Sequence, residues 1–274
     1  MNLIEGIRKI DHSDYVIYII ENMTDELKNE IRDRLSYICH GVDQSKSNFK
    51  IYSYRETVKK FVDRCKSEEN NLVESRVVGM IGELLVHIIL EIDGRFITAS
   101  PLFNMEEDSL KKGYDVILFD SNGQEIWVTE TKSGQKQKKQ KTASESAVAL
   151  INKAKNDLNK RLNNYNTTLW LNALNSVRVY MSNSDSQKDV VIGLLGQLSE
   201  DVVDNKFSST QFNVVLSGVL FNPLTDLIEE EKIKDTYTSI HDAGIFKKEC
   251  IIAIQKGTYQ AVYNFLLSEA NNEL

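Results

Sequence analysis

Asn122-Gly123 constrains this chain more than any other feature. The pair separates two apolar stretches, Tyr114–Phe119 and Glu125–Lys132, and both of its residues suit the positive φ of a tight hairpin turn. A two-residue loop sets Ser121 opposite Gln124, and a four-residue loop sets Asp120 opposite Glu125; both give one register. In that register Asp115 falls opposite Glu130. Strand side chains alternate between faces, so Asp115, Ile117 and Phe119 share a face that Ile126, Val128, Glu130 and Lys132 continue. This face is apolar near the turn and ionic at its far end. Carboxylates directly opposite in an antiparallel pair lie roughly 5 Å apart at Cβ and repel. A divalent cation removes that repulsion, because Mg²⁺ takes one or two carboxylates together with waters and phosphate oxygens. Lys132 points the same way as Glu130, where an ammonium can orient a water or steady charge on a reacting phosphate. The plainer alternative is a surface strand on which Glu130 and Lys132 merely pair; the opposed Asp115 and the apolar flanks weigh against it.

Upstream, Val73–Glu91 is apolar on all sides, as in a buried helix, and Asp93-Gly94 ends it. Glu83 lies in that helix among Met80, Ile81, Leu84, Leu85 and Val86. A lone carboxylate in such surroundings neutralises or finds a partner. The partner is either a metal shared with Asp115 and Glu130, if this helix packs on their face, or a turn or arginine at the helix margin. Gly79 and Gly82 would allow a close approach. His87, one turn from Glu83, reads as a packed core histidine or a ligand.

The remaining periodicity predicts strands at Tyr15–Ile20, Arg95–Phe103, Val177–Met181, Val190–Leu195, Phe212–Phe221 and Ile251–Gln255. Helices are expected at Thr24–Cys39, Arg55–Lys66, Glu145–Leu162 (capped by Ser144), Leu224–Ile233 and Tyr259–Leu267. SGQKQKKQKT, from Ser133, is a polar loop. The formal net charge is −7, yet residues 132–161 carry eight lysines and one arginine against Glu145 and Asp157, a local +7 that leaves −14 for the rest. A basic block on an acidic body is the footprint of a polyanion partner, although a charge run also suits a solvated helix face. Lys136, Lys138, Lys139 and Lys141 follow Lys132 closely and are candidate phosphate contacts, which give affinity without reading bases. The three cysteines are dispersed and form no CxxC, so neither a zinc site nor a disulfide framework is expected, and a reducing cytoplasm is. Charges break the N-terminal stretch within its first turns, and no apolar run is long enough to span a bilayer, the best, Val77–Leu90, having Arg76, Glu83 and His87 at or near its edges and middle, so neither a signal peptide nor a bilayer span is expected. No GxxxxGK[ST] occurs, which argues against ATP hydrolysis by this chain.

The order helix, strand, strand, strand, helix, strand, with Glu83, Asp115 and the Glu130-Thr131-Lys132 triplet, resembles the PD-(D/E)xK nuclease superfamily. The resemblance implies an α/β, restriction-endonuclease-like core (an α-β-β-β-α-β mixed sheet) over residues 73–182. An N-terminal strand and helical extension covers 1–72, and 183–274 is a C-terminal α+β extension of the same domain. It implies a Mg²⁺ or Mn²⁺ site on Asp115 and Glu130, joined by Glu83 and the Thr131 carbonyl, with Lys132 as the catalytic lysine. Tyr114 stands where the motif's proline would be, a position that often departs from proline. Within the superfamily, the GELL helix, GYDVILF and WVTETKSG resemble the HamA family, nuclease subunits of the Hachiman antiphage system. That likeness implies a bacterial, cytoplasmic Mg²⁺-dependent deoxyribonuclease with little sequence preference, regulated by a HamB-like helicase. The alternatives are a sequence- or structure-selective restriction or repair endonuclease, and a catalytically silent DNA- or helicase-binding module.

Overall fold

The expected hairpin forms in its expected register, as the sixth and fifth strands of one eight-stranded sheet. The computed structural model describes residues 1–67, 69–102, 114–120, 122, 124–137, 139–164, 167–204 and 208–272. The chain opens with β1 (Asn2–Ile4), β2 (Ile7–Asp11) and β3 (Tyr15–Ile20), then α1 (Asp25–His40), the single turn α2 (Val42–Ser45), α3 (Tyr54–Arg64) and α4 (Glu74–Asp93). The short β4 (Ile97–Thr98) and the hairpin strands β5 (Val116–Asp120) and β6 (Glu125–Gln135) follow. Next come α5 (Ala143–Leu162), α6 (Thr167–Tyr180) and α7 (Lys188–Val203), then β7 (Asn213–Phe221), α8 (Glu230–Asp242), β8 (Lys248–Lys256) and α9 (Gln260–Asn271).

The strand order is β1-β2-β3-β8-β7-β6-β5-β4. The four inner strands β3, β8, β7 and β6 run parallel, and antiparallel strands extend the sheet on both sides. Parallel strands covered on both faces need continuous apolar runs, and every residue of β3 and β7 is buried. Two cores result, one per face. The first gathers Leu27 and Ile31 of α1, Phe61 of α3, Ile81 and Leu85 of α4 and Val262 of α9 over Val215, Val219 and Ile252. The second gathers Ala147 and Ile151 of α5, Trp170 of α6, Leu195 of α7 and Ile233 of α8 over Val128, Val214 and Leu216.

Local signals set the helix ends. Thr24 accepts a hydrogen bond from the Leu27 amide at the start of α1, and Gly94, with φ 67°, stops α4 in a left-handed turn. Thr142, not Ser144, caps α5 by accepting from Glu145 N; the Ser144 hydroxyl instead accepts from Glu229 N at 2.9 Å.

Several expectations are corrected. Val177–Met181 and Val190–Leu195 are not strands. They lie in or at the end of α6 and α7, where Trp170, Ala173, Val177 and Tyr180, then Lys188, Val191 and Leu195, mark buried stripes at helical spacing. A short apolar run does not distinguish the two states, and the longer period decides it. The strand beside β6 is therefore β7, and the sheet runs through all three expected segments, 1–72, 73–182 and 183–274. The C-terminal residues widen the sheet from its middle. The polar loop after Lys132 starts later than expected, since β6 continues to Gln135. Of Arg95–Phe103, only Ile97–Thr98 is strand, and Phe103 lies outside the described residues. The helix expected from Leu224 begins at Glu230.

Gly82 makes the closest approach of α4 to the sheet. A Cβ there would stand 1.7 Å from Ser133 Oγ and 2.6 Å from Ser133 Cβ, whereas one at Gly79 would meet nothing within 4 Å. Gly82→Ala is therefore expected to destabilise the fold by about 1–3 kcal/mol through overpacking, and Gly79→Ala is not. Thermal unfolding of the two variants checks this, and adding Ser133→Gly should recover part of the loss at position 82.

Candidate active site

Alternation along β6 sends Glu130 and Lys132 to the face covered by α5, with Ile126 and Val128. Thr131 and Ser133 point to the other face, which carries α4. The observed pair Val116–Thr129 closes the ladder one step before Asp115 and Glu130. Asp115 precedes the first residue of β5, and its Oδ2 accepts a 2.6 Å hydrogen bond from Thr131 N. It thus holds the amide between the two residues whose side chains define the site. On the other flank, Glu130 adjoins Leu216 and Lys132 adjoins Gly218 of β7.

Glu130 is fully buried (0 % exposed). Its Oε1 accepts from Lys132 Nζ at 2.6 Å. Arg161, near the end of α5, grips the same carboxylate with Nη1 at 2.9 Å from Oε2 and Nη2 at 3.2 Å from Oε1. Lys132 Nζ also lies 3.0 Å from Asp157 Oδ2. Burial and the negative charge of Asp115 push the Glu130 pKa up, opposed by Arg161 and Lys132. The Lys132 pKa is raised as well, but here the charge partners outweigh burial. Burial acts against its charge, but the hydrogen bond and charge of Glu130, with Asp157 and Asp115, raise its pKa. It is held as an ammonium, suited to stabilising negative charge and not to taking a proton.

Tyr114 completes the site. Its ring is buried and packs 5.2 Å from that of Trp170. Its hydroxyl has no hydrogen-bond partner among the described residues. Burial, with the Arg161 and Glu130 charges also acting on it, raises its pKa. An orphaned buried hydroxyl beside a charged cluster marks a place for a further polar group.

The site unites Asp115, Glu130, Thr131 and Lys132 as the sequence predicts, and adds Arg161, Asp157 and Tyr114. The one local hint of the added pair is its i, i+4 spacing on a helix. Glu83 is placed differently from expectation. Its helix packs on the Ser133 face, opposite Glu130, and the helix over the ionic face is α5. Among the described residues, no three His, Cys, Asp or Glu side chains form a group that could hold a metal ion. Asp115 and Glu130 still offer the two carboxylates that suffice for Mg²⁺ with waters and phosphate oxygens, and the unpartnered Tyr114 hydroxyl is a further polar group beside Glu130. The donor set fits such an ion without Glu83.

The lysine loop also departs from expectation. It begins beyond Gln135, so Lys136 lies about 20 Å of extended strand from Glu130. Lys136 Nζ is engaged, 2.8 Å from Asp226 Oδ2 and 3.0 Å from Lys141 O. Asp226 also accepts from Ala143 N at the start of α5, which ties the loop down. Lys139 and Lys141 are exposed, and Lys138 lies outside the described residues. Elsewhere, His87 is fully buried in α4. Cys39 is buried, which pushes its thiol pKa up, and His40 Nε2 meets Thr57 Oγ1 at 3.0 Å; this pair is packed as core. Among the described residues no helix is long and apolar enough to cross a membrane.

No curated protein and no solved structure matches this chain. One family model, described as HamA, matches residues 3–267.

Proposed function

The chain belongs to the HamA family, and on that premise we propose that it is a metal-dependent DNA nuclease, the effector of a Hachiman antiphage defence complex governed by a HamB-like helicase. The observation that carries this reading is Glu130: a fully buried carboxylate set beside Asp115, with Lys132 on the same face. A fold shaped only for stability gains nothing from two adjacent acids, one of them desolvated. The order α4, β4, β5, β6, α5, and then β7 after the intervening α6 and α7, with β6 and β7 parallel, keeps the helix, three strands and helix expected of a PD-(D/E)xK core and supports the same reading.

Asp115, Glu130 and the Thr131 carbonyl would hold Mg²⁺ or Mn²⁺. When bound, the ion supplies Lewis acidity and an activated water. The chain's own groups do the rest. Lys132, kept protonated, orients the attacking water and neutralises charge on the phosphate. Arg161, one third exposed at the rim, can turn its planar fork from Glu130 to phosphate oxygens. Asp157 holds Lys132 in place. A second reading has one observation in its favour: Glu130, Arg161, Lys132 and Asp157 already form a closed ion network, as a silent binding module could use.

The direct test incubates the purified chain, alone and with its helicase partner, with plasmid, linear and single-stranded DNA, with Mg²⁺ or EDTA. EDTA-sensitive cutting with little sequence preference is expected; absence of cutting in every arm refutes the nuclease reading. Lys139→Glu with Lys141→Glu is expected to weaken DNA binding equally for all sequences and to flatten the salt dependence by about two units of slope. Binding measured over a salt series checks this, and a changed sequence preference contradicts a backbone contact.

A further inference from the structure

Lys256 is the last residue of β8 and is 3 % exposed. Its ammonium has no ion-pair or hydrogen-bond partner among the described residues, and burial alone acts on it, lowering its pKa. Its nitrogen is not among the fully enclosed atoms that lack a partner, so the buried stem carries the ammonium to an opening at the surface. Lys256 therefore offers a cation, unengaged among the described residues, that a ligand from outside the chain can reach.

Its place in the fold says what that partner is. Gln135, Phe221, Lys256 and Ile20 form the last rung of the four parallel strands. The C-terminal ends of parallel strands are the binding edge of open α/β sheets. Ile252 and Ile254, in phase with Lys256, belong to the core under α4 and α9, so Lys256 projects to that side. Both helices begin at this level. α9 starts four residues after Lys256, and Tyr259, just before it, meets the Phe221 ring edge-on at 5.8 Å. Glu74, the first residue of α4, accepts from Tyr259 OH at 2.6 Å and from Gln135 Nε2 at 2.9 Å. Neither Val73 nor Tyr259 caps its helix with a side chain; Thr258 Oγ1 accepts from Gln260 N at 3.2 Å, and the other first-turn N–H groups and the positive ends of two helix dipoles face the same edge as the ammonium. The carboxylates here are engaged, Glu74 as above and Asp226 with Lys136 and Ala143 N.

We propose that Lys256 and the first turns of α4 and α9 form a binding site for a phosphate group, as carried by a nucleotide or a nucleic-acid strand. Helix N-termini with a lysine on a buried stem favour a compact anion of this kind. The site lies on the face of the sheet opposite Glu130 and is independent of the nuclease reading. The basic loop leaves β6 at Gln135, two strand spacings or about 10 Å from Lys256, which lets one strand backbone span both.

The test uses the full chain in thermal unfolding at matched ionic strength. Inorganic phosphate is expected to raise the Tm of wild type relative to chloride. In Lys256→Met this rise disappears, the apparent phosphate Kd increasing by about tenfold or more, while the variant itself melts no lower. An equal rise in both proteins overturns the proposal. Amide NMR shifts of the unaltered chain keep the test open if the variant does not fold. Phosphate should move Glu74, Ser75 and Ala261 most, and shifts absent there overturn the site. Replacing phosphate by a nucleoside triphosphate or a short single-stranded DNA separates the sources: tighter binding of DNA per phosphate identifies a strand, and equal binding identifies a single phosphate.

Discussion

Glu130→Gln is expected to leave DNA uncut, with a cleavage rate down by about 10³-fold or more, while the protein melts no lower than wild type. The first half follows from removing one of the two carboxylates, Asp115 and Glu130, proposed to hold the ion. The second follows from linkage. Burial and Asp115 push the Glu130 pKa up to about 7. Between the unfolded value near about 4.3 and that folded value, the native state binds more protons than the unfolded one. Stability therefore falls as pH rises through this window. Gln removes the term, so the Tm of the variant should gain on wild type across the same window in metal-free buffer. Arg161 loses one ionic contact, but its side chain is one third exposed and can turn to solvent. Purified Glu130→Gln that still cuts refutes the site. A variant that neither cuts nor holds its Tm favours the structural ion network.

Lys132→Ala carries the second large effect. Its ammonium lies between Glu130 and Asp157 and is kept charged by both, with Asp115 adding to the field. A group in that position contributes most when charge develops on the reacting phosphate, so the expected loss is about 10²–10³-fold in rate. DNA affinity should change little, because the basic loop proposed to contact DNA is a separate element. Single-turnover cleavage and binding, measured on the same preparation, divide the two effects. A variant with reduced affinity and an unchanged rate assigns Lys132 to binding and not to chemistry.

Much of the site could be read before folding was considered. The hairpin register needed only the Asn122-Gly123 turn and strand alternation, because a tight turn leaves its two strands a single pairing. Adjacency of Asp115 to Glu130 and the shared direction of Glu130 and Lys132 followed at once. Arg161 and Asp157 did not, since they meet β6 only after α5 folds back along it. Glu83 went to the other side for a related reason. Its all-round apolar helix shows that it is buried, not which face of the sheet it covers. The Gly82–Ser133 approach, between elements some fifty residues apart, decides that.

The same division holds for the fold. Short-range physics, meaning turn chemistry, caps and side-chain periodicity, determined from sequence alone the hairpin, the starts of α1 and α9, the end of α4 and the strand that becomes β7. Only the tertiary structure decided that β7 lies beside β6, that the N-terminal β3 joins the same sheet beyond β8, and that Lys136 is held by Asp226. Those outcomes depend on which distant apolar faces bury one another best. A comparison of alternatives across the whole chain sets that choice, and no local window contains it.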